Sequence, residues 1–150
     1  MKNLNAEDII KLKKAIELQR EDYDEEALFV LDDLYKRNSK NGKIVSLLGL
    51  VLNKTRQRVK AIPYLEKAIT LNSNNELVSL SLYNSYVDIE KYDNAFSVIF
   101  EYLEVYPADL YRTTLEELLE GLLDGYGTAY KDKIIFYAKK NKISIPDELQ

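Results

Sequence analysis

Residues 48–68 read LGLVLNKTRQRVKAIPYLEKA and decide the fold. Small or apolar residues stand at positions 48, 49, 52, 61, 65 and 68 of this stretch. Steps of three and four residues place them on one side of an α-helix, whereas a β-strand would need strict alternation. Two such runs separated by polar residues predict two consecutive helices joined by a turn.

The second of these helices recurs along the chain with a period of 34 residues. Ala61 has counterparts at the same step in Ala27, Ala95 and Ala129. Apolar residues keep the period one, four and eight positions further on: Leu28, Ile62, Phe96 and Tyr130; Leu31, Leu65 and Ile99; Tyr35, Ile69, Leu103 and Tyr137. A fixed period of this length is typical of helical repeat proteins. We therefore expect each alanine to stand at the start of the second helix of a helix-turn-helix unit.

The first helices of the units repeat less cleanly. Leu82, Tyr83 and Tyr86 follow Leu48, Gly49 and Leu52 by 34 residues. In the last unit the apolar stripe matches only when it is shifted two residues late, to Leu115, Leu118, Leu119 and Leu122. The turn after it is then shortened, and we expect Gly125 and Gly127 to permit that turn through positive φ angles.

With these residues the chain resembles a tetratricopeptide repeat (TPR) protein. The second unit matches the family pattern at Leu48, Gly49, Leu52, Ala61, Leu65 and Ala68, and the third adds Tyr86, Tyr92, Ala95 and Pro107. The resemblance implies an all-α solenoid of about four 34-residue repeats in a single domain 1–150. The repeats fall near 6–40, 41–74, 75–108 and 109–141, followed by a tail 142–150. Tyr83 and Tyr102 depart from the pattern, since the family usually has a small residue there at a close helix crossing.

Composition argues against several classes of function. The chain has no Cys and no His, so disulfides, thiolate metal sites and the commonest general base are absent. Acidic pairs such as Asp22 and Asp24 are explained by the helix start at which they lie. We expect no catalytic residues, no metal site and no cofactor, and therefore no enzyme.

Charge and hydropathy bear on location and partners. The formal net charge is -4 and the pI is about 5.0, which disfavours nucleic-acid binding. The basic clusters at 54–60 and 139–142 are better explained as solvated helix ends. No apolar run approaches the roughly 20 residues of a membrane span, and the first residues lack an apolar signal sequence. We expect a cytoplasmic protein with neither a nucleic-acid nor a membrane partner.

The period also predicts which side of the first helices the core leaves free. By resemblance to the family, that side lines a concave groove. The residues predicted to bind a partner there are Lys43, Ser46, Leu50, Asn53, Leu77, Leu80, Asn84, Val87, Glu116 and Glu120. The same register in the first unit gives Ile9, Leu12, Ile16 and Gln19, which either extend the groove or pack on the second helix. Tyr106, Tyr111 and Tyr130 have no assigned place and remain candidates for partner contact.

The predicted function is a non-enzymatic protein interaction module that binds a peptide or amphipathic segment of a partner in this groove. The ligand would have apolar anchors and a basic end facing Glu116 and Glu120. One alternative is a dedicated small chaperone or neutralising partner, similar to the TPR chaperones of bacterial secretion systems. Another is a homodimer, because the last helix has apolar residues on nearly every side unless the tail 142–150 covers it.

Overall fold

The computed structural model describes residues 3–150, which form eight α-helices and no strand. The helices are α1 (Ala6–Arg20), α2 (Asp24–Arg37), α3 (Gly42–Lys54), α4 (Arg58–Leu71), α5 (Glu76–Asp88), α6 (Tyr92–Val105), α7 (Tyr111–Leu123) and α8 (Lys131–Lys140). Short 3₁₀ turns occupy Thr128–Tyr130 and Asp147–Leu149. Consecutive helices pack as pairs. The α1–α2 pair packs on the α3–α4 pair, which in turn packs on the α5–α6 pair. The all-α repeat architecture predicted from the 34-residue period is confirmed.

The turns between paired helices repeat the same backbone geometry. Asp22, Arg56 and Glu90 stand 34 residues apart and have φ angles of 63°, 63° and 61°. After each of them, the next N–H donates to the carbonyl five residues back, at 2.8, 2.9 and 2.9 Å. This is a Schellman ending, which satisfies carbonyls that the helix itself leaves without a partner. Gly125, with φ of 87°, takes this position in the last pair, as predicted from its sequence.

The first helices of the pairs begin with asparagine caps, except for α7. The side chains of Asn5, Asn41 and Asn75 accept hydrogen bonds from backbone N–H groups in the first turns of α1, α3 and α5. The start of α7 is capped from a distance. The Glu76 carboxylate accepts from the N–H groups of residues 109, 110 and 111, at 2.9, 2.8 and 3.1 Å. A residue in the first turn of α5 therefore caps the start of α7.

Close packing of α3 on α4 depends on Gly49. A Cβ at this glycine would lie 2.9 Å from Leu65 Cδ2 and 3.2 Å from the Leu65 backbone nitrogen. The same place in the next unit holds Tyr83, whose ring contacts Tyr111 edge to face at 6.2 Å. The Tyr102 ring lies 5.5 Å from the ring of Tyr111 as well. These aromatic rings fill the space between α7 and the α5–α6 pair, and the α7 backbone lies farther from α6 than that of α5 lies from α4.

The fourth alanine of the period is not equivalent to the other three. Ala27, Ala61 and Ala95 are buried in second helices, but Ala129 is exposed in the 3₁₀ turn before α8. The expectation that Ala129 belongs to a second helix was wrong. The backbone bends at Gly127, with φ of 70°, and α8 begins four residues later. The shift of the α7 stripe has therefore displaced the start of the helix that follows it.

The C-terminal tail folds back on the last unit. Ile143 is buried beside α8, and its N–H donates to the Ala138 carbonyl at 2.9 Å. Ile145 and Leu149 pack against the core, and the final 3₁₀ turn contacts α7. The tail therefore packs on α7 and on the end of α8, and Phe136 on α8 remains 57% exposed.

Candidate functional site

The predicted groove residues lie on α3, α5 and α7, and all retain some exposure. Leu77 is 50% exposed, while Leu50, Leu80 and Val87 are half-buried and pack against the core. Ser46 and Asn53 are also half-buried. The exposed polar members are Lys43, Asn84, Glu116 and Glu120. The set therefore combines a partly exposed aliphatic row with polar and acidic side chains.

The corresponding residues of the first unit were expected either to extend the groove or to pack on the second helix, and the structure shows some of each. Leu12 is buried in the core, and Ile16 is half-buried against it. Ile9 is 41% exposed, and Gln19 is half-buried. Leu12 therefore serves the core, and Ile9 is the apolar residue of this set that a partner could contact directly.

Asn53 is held by a polar network in the middle of the proposed groove. Its side-chain oxygen accepts a hydrogen bond from Ser85 Oγ at 2.7 Å and another from the Arg58 guanidinium. Arg58 also donates to the Asn53 carbonyl at 2.7 Å and pairs with Asp88 at 2.8 Å. These contacts join α3, α4 and α5. Asn53 thus stabilises the stacking of two units, which is a role that the sequence did not reveal.

The surface changes charge along the chain. Helices α5, α6 and α7 together contain eight acidic residues and a single basic one, Arg112. Arg112 donates to the Asn141 carbonyl at 2.7 Å. Among residues 3–150, Glu116, Glu117 and Glu120 form no ion pair. The part of the proposed groove nearest the C-terminus is therefore acidic.

An apolar pocket lies where α5, α6 and α7 meet. We call it the junction pocket. It has a volume of about 560 Å³, and its lining includes Tyr83, Val87, Phe96, Leu118 and Gly121. Two further lining residues, Tyr92 and Tyr126, are 51% and 73% exposed and stand at its mouth. Val87 belongs both to this pocket and to the predicted groove, so the two features are continuous.

The fold and these surfaces can be compared with known protein families. A family model described as the N-terminal TPR repeats region of Psidin matches residues 1–111. The chain belongs to this TPR repeat family. No curated protein matches the chain. The match ends at the first residue of α7, which is where the regular stacking of helix pairs also ends.

TPR repeats generally mediate contacts between proteins, and the family is typically non-enzymatic. In this TPR chain, two residues of the basic cluster 54–60 form ion pairs within the fold. Lys54 donates to Asp22 and Asp24, at 2.7 and 3.3 Å. Two cations of the basic cluster 54–60, Lys54 and Arg58, are thus paired with carboxylates of neighbouring units.

The three unassigned tyrosines all have internal partners. Tyr111 is fully buried, and its hydroxyl lies 2.7 Å from Ser79 Oγ. The Tyr106 hydroxyl lies 2.7 Å from Ser73 Oγ. Tyr130 stacks on Phe96 at a ring distance of 4.0 Å and donates to Asp93, which raises the pKa of its hydroxyl. Their side chains therefore join elements of the chain to one another.

The arrangement of the carboxylates and the length of the helices in residues 3–150 bear on metal and membrane binding. In this part of the TPR chain, no group of three or more carboxylate side chains is arranged to hold a metal ion. None of its helices combines the length and apolar character needed to cross a bilayer.

Two features of the site escaped sequence reasoning. The junction pocket exists because Tyr83 and its neighbours hold α7 away from α6, and no local pattern reports a gap of that kind. The Asn53 network joins residues 32 apart in sequence, Asn53 and Ser85. The 34-residue period could have indicated the second feature, since Ser85 lies two positions before the counterpart of Asn53 in the next unit.

Proposed function

We propose that this TPR chain is a non-enzymatic adaptor that binds a segment of another protein along α3, α5 and α7. The observation that supports this most directly is the aliphatic row of Leu50, Leu77 and Leu80, which remains partly exposed on the side that the repeat register leaves free. Soluble proteins seldom expose contiguous apolar surface without a use for it.

The proposed ligand is an extended or helical segment with apolar anchors and a basic end. Each leucine that the ligand covers fully contributes about 1.5 to 3 kcal/mol at most, before the costs of ordering are subtracted. Glu116 and Glu120 are exposed at the C-terminal part of the row and would attract Lys or Arg. Micromolar binding corresponds to about 8 kcal/mol, so three anchors of this size need the charge contacts at Glu116 and Glu120 in addition.

The test is capture of partners from the cell of origin with a tagged chain, followed by mass spectrometry. Leu77→Glu is the main variant because Leu77 is half exposed, so a charge there disturbs the fold little. Leu50→Glu and Leu80→Glu are added with circular dichroism as a check, since both leucines pack against the core. Phe29→Glu is the matched control, because Phe29 is 80% exposed but lies on α2.

A partner that is lost with Leu77→Glu and retained with Phe29→Glu would support the groove. Partners that bind all variants equally would contradict it. A single dominant partner would favour the narrower version of the proposal, in which the chain is a dedicated chaperone or neutralising partner of one client.

Self-assembly is the second candidate, and one observation favours it. Phe136 on α8 is 57% exposed even though the tail covers part of the last unit. Light scattering at two protein concentrations, with Phe136→Ser as the variant, distinguishes a homodimer from a monomer. Cytoplasmic location and the lack of catalytic activity, cofactors and nucleic-acid or membrane partners stay predictions from the sequence.

A further inference from the structure

We propose that the junction pocket is an anchor site for a partner segment with one large apolar side chain flanked by Lys or Arg. The inference rests on the proposed function, in which the chain binds a segment of another protein. It goes further by naming the cavity that selects the segment and the chemistry of the residues that enter it.

The chemistry of the pocket walls matches an apolar side chain. Tyr83 and Phe96 are buried at its base, and Leu118 forms part of its wall. Its volume of about 560 Å³ falls within the roughly 300 to 1,000 Å³ of pockets that bury small ligands. Tyr92 and Tyr126 at the mouth are exposed aromatic residues, a type that contributes strongly to binding hot spots.

Carboxylates next to the pocket supply the preference for basic flanks. Glu117 lies on α7 one residue before Leu118, and its charge raises the pKa of the Tyr83 hydroxyl together with the larger effect of burial. Glu120 precedes the pocket residue Gly121, Asp124 follows it by three residues, and both carboxylates are exposed. Complementary charge of this kind favours a basic ligand and repels an acidic one.

Two cations near the mouth weaken this field without cancelling it. Lys91 precedes Tyr92, and Lys131 follows the pocket residue Tyr130. The three exposed carboxylates of Glu117, Glu120 and Asp124 outnumber these two cations next to the pocket.

The position of the pocket makes it an extension of the groove. Val87 lines the pocket and also continues the row formed by Leu77 and Leu80 along α5. A segment lying along that row would reach the pocket at the C-terminal end of α5. The ligand side chain that enters the pocket would then fix the register of the segment, because only one residue of the segment can occupy the pocket.

The probe is the peptide most enriched when a random peptide library displayed on phage is selected on the full chain. Its affinity is measured by fluorescence anisotropy. Gly121→Leu fills the pocket, and Gly42→Leu makes the same change outside it, at the start of α3, where a Cβ meets Leu71 Cβ at an ordinary 3.9 Å. Glu117→Lys tests the charge, and Glu17→Lys makes the same change on α1. Leu77→Glu tests the groove.

The proposal expects enriched peptides with an aromatic or large aliphatic residue next to Lys or Arg. Their affinity should fall about tenfold or more with Gly121→Leu and several-fold with Glu117→Lys. Both control variants should bind within about twofold of the unaltered chain. Replacing the apolar residue of the peptide with alanine should have the same effect as filling the pocket.

Peptides that lose binding with Leu77→Glu but not with Gly121→Leu would overturn the pocket and leave the proposed function intact. Peptides whose affinity is unchanged by Leu77→Glu and by Gly121→Leu would overturn both the pocket and the proposed function. A dimer of the unaltered chain that becomes a monomer with Gly121→Leu would show that a second copy covers the pocket, and this would also overturn the proposal.

Discussion

At the scale of single residues, small side chains act where two backbones approach. Gly49 lets α4 reach α3, and the nearest atoms to its missing Cβ include the backbone nitrogen of Leu65, which cannot turn aside. Gly121 lies in the equivalent kind of helix but faces open space beyond 3.8 Å. Replacing each of these two glycines with alanine therefore compares a closely packed position with an open one.

We expect Gly49→Ala to lower the free energy of unfolding by about 1 to 3 kcal/mol, because the added methyl group forces α3 and α4 apart. Gly121→Ala should leave stability unchanged or raise it by up to about 1 kcal/mol, since alanine favours a helix more than glycine does. Urea denaturation followed by circular dichroism measures both. Equal effects at the two positions would show that the crossing of α3 and α4 is not closely packed.

At the scale of elements, the start of α7 depends on a residue from another repeat. Three backbone N–H groups at residues 109–111 donate to the Glu76 carboxylate at 2.8 to 3.1 Å. The unsatisfied N–H groups of a helix start need such acceptors. Glu76 therefore connects the third unit to the fourth. The close packing of helix pairs that joins the earlier units does not continue between these two.

We expect Glu76→Ala to destabilise α7 by about 1 to 2 kcal/mol, comparable to the loss of a strong N-cap. Hydrogen exchange should show faster exchange at residues 109–123, with little change in α3 and α4. Glu76→Gln, which keeps one acceptor oxygen, should exchange at an intermediate rate, and Glu101→Ala on α6 serves as the control. Unchanged exchange in α7 with Glu76→Ala would contradict this role of the carboxylate.

Periodicity predicted the elements of the first three units well, because a buried stripe leaves a repeated mark on the sequence. Ala129 was assigned wrongly because an alanine is compatible both with a close helix crossing and with an exposed turn. The Glu76 cap could not be predicted, since a glutamate at a helix start already has a sufficient local explanation. The junction pocket depends on how far Tyr83 displaces α7, and that distance follows from packing in three dimensions.

At the scale of the whole molecule, several tyrosines resist ionisation. Burial raises the pKa of Tyr83, Tyr86 and Tyr137 to about 12, with further contributions from the neighbouring carboxylates of Glu117, Glu66 and Glu104 respectively. Burial also raises the pKa of Tyr111. A raised pKa in the folded state means that the folded chain holds these protons more tightly than the unfolded chain does.

We therefore expect the contribution of these tyrosines to stability to be fully present below about pH 10, the ordinary pKa of tyrosine, and to be lost progressively as the pH rises towards about 12. Tyrosinate absorbance should show the buried tyrosines ionising late, together with unfolding. Tyr86→Phe, which removes one late-titrating hydroxyl, should flatten the pH dependence of the free energy of unfolding relative to the unaltered chain. A single titration step for all tyrosines in the folded chain would contradict this expectation.

Different kinds of contact hold together the first three units and attach the last one. Every ion pair found among residues 3–150 lies between Glu7 and Asp88. The last unit is attached instead by aromatic rings and by hydrogen bonds such as that from Tyr137 to Glu104. Dissolved salt screens exposed charges and leaves aromatic packing almost untouched. Ionic strength therefore acts on the ion pairs of the first three units and leaves the packing that holds the last unit almost unchanged.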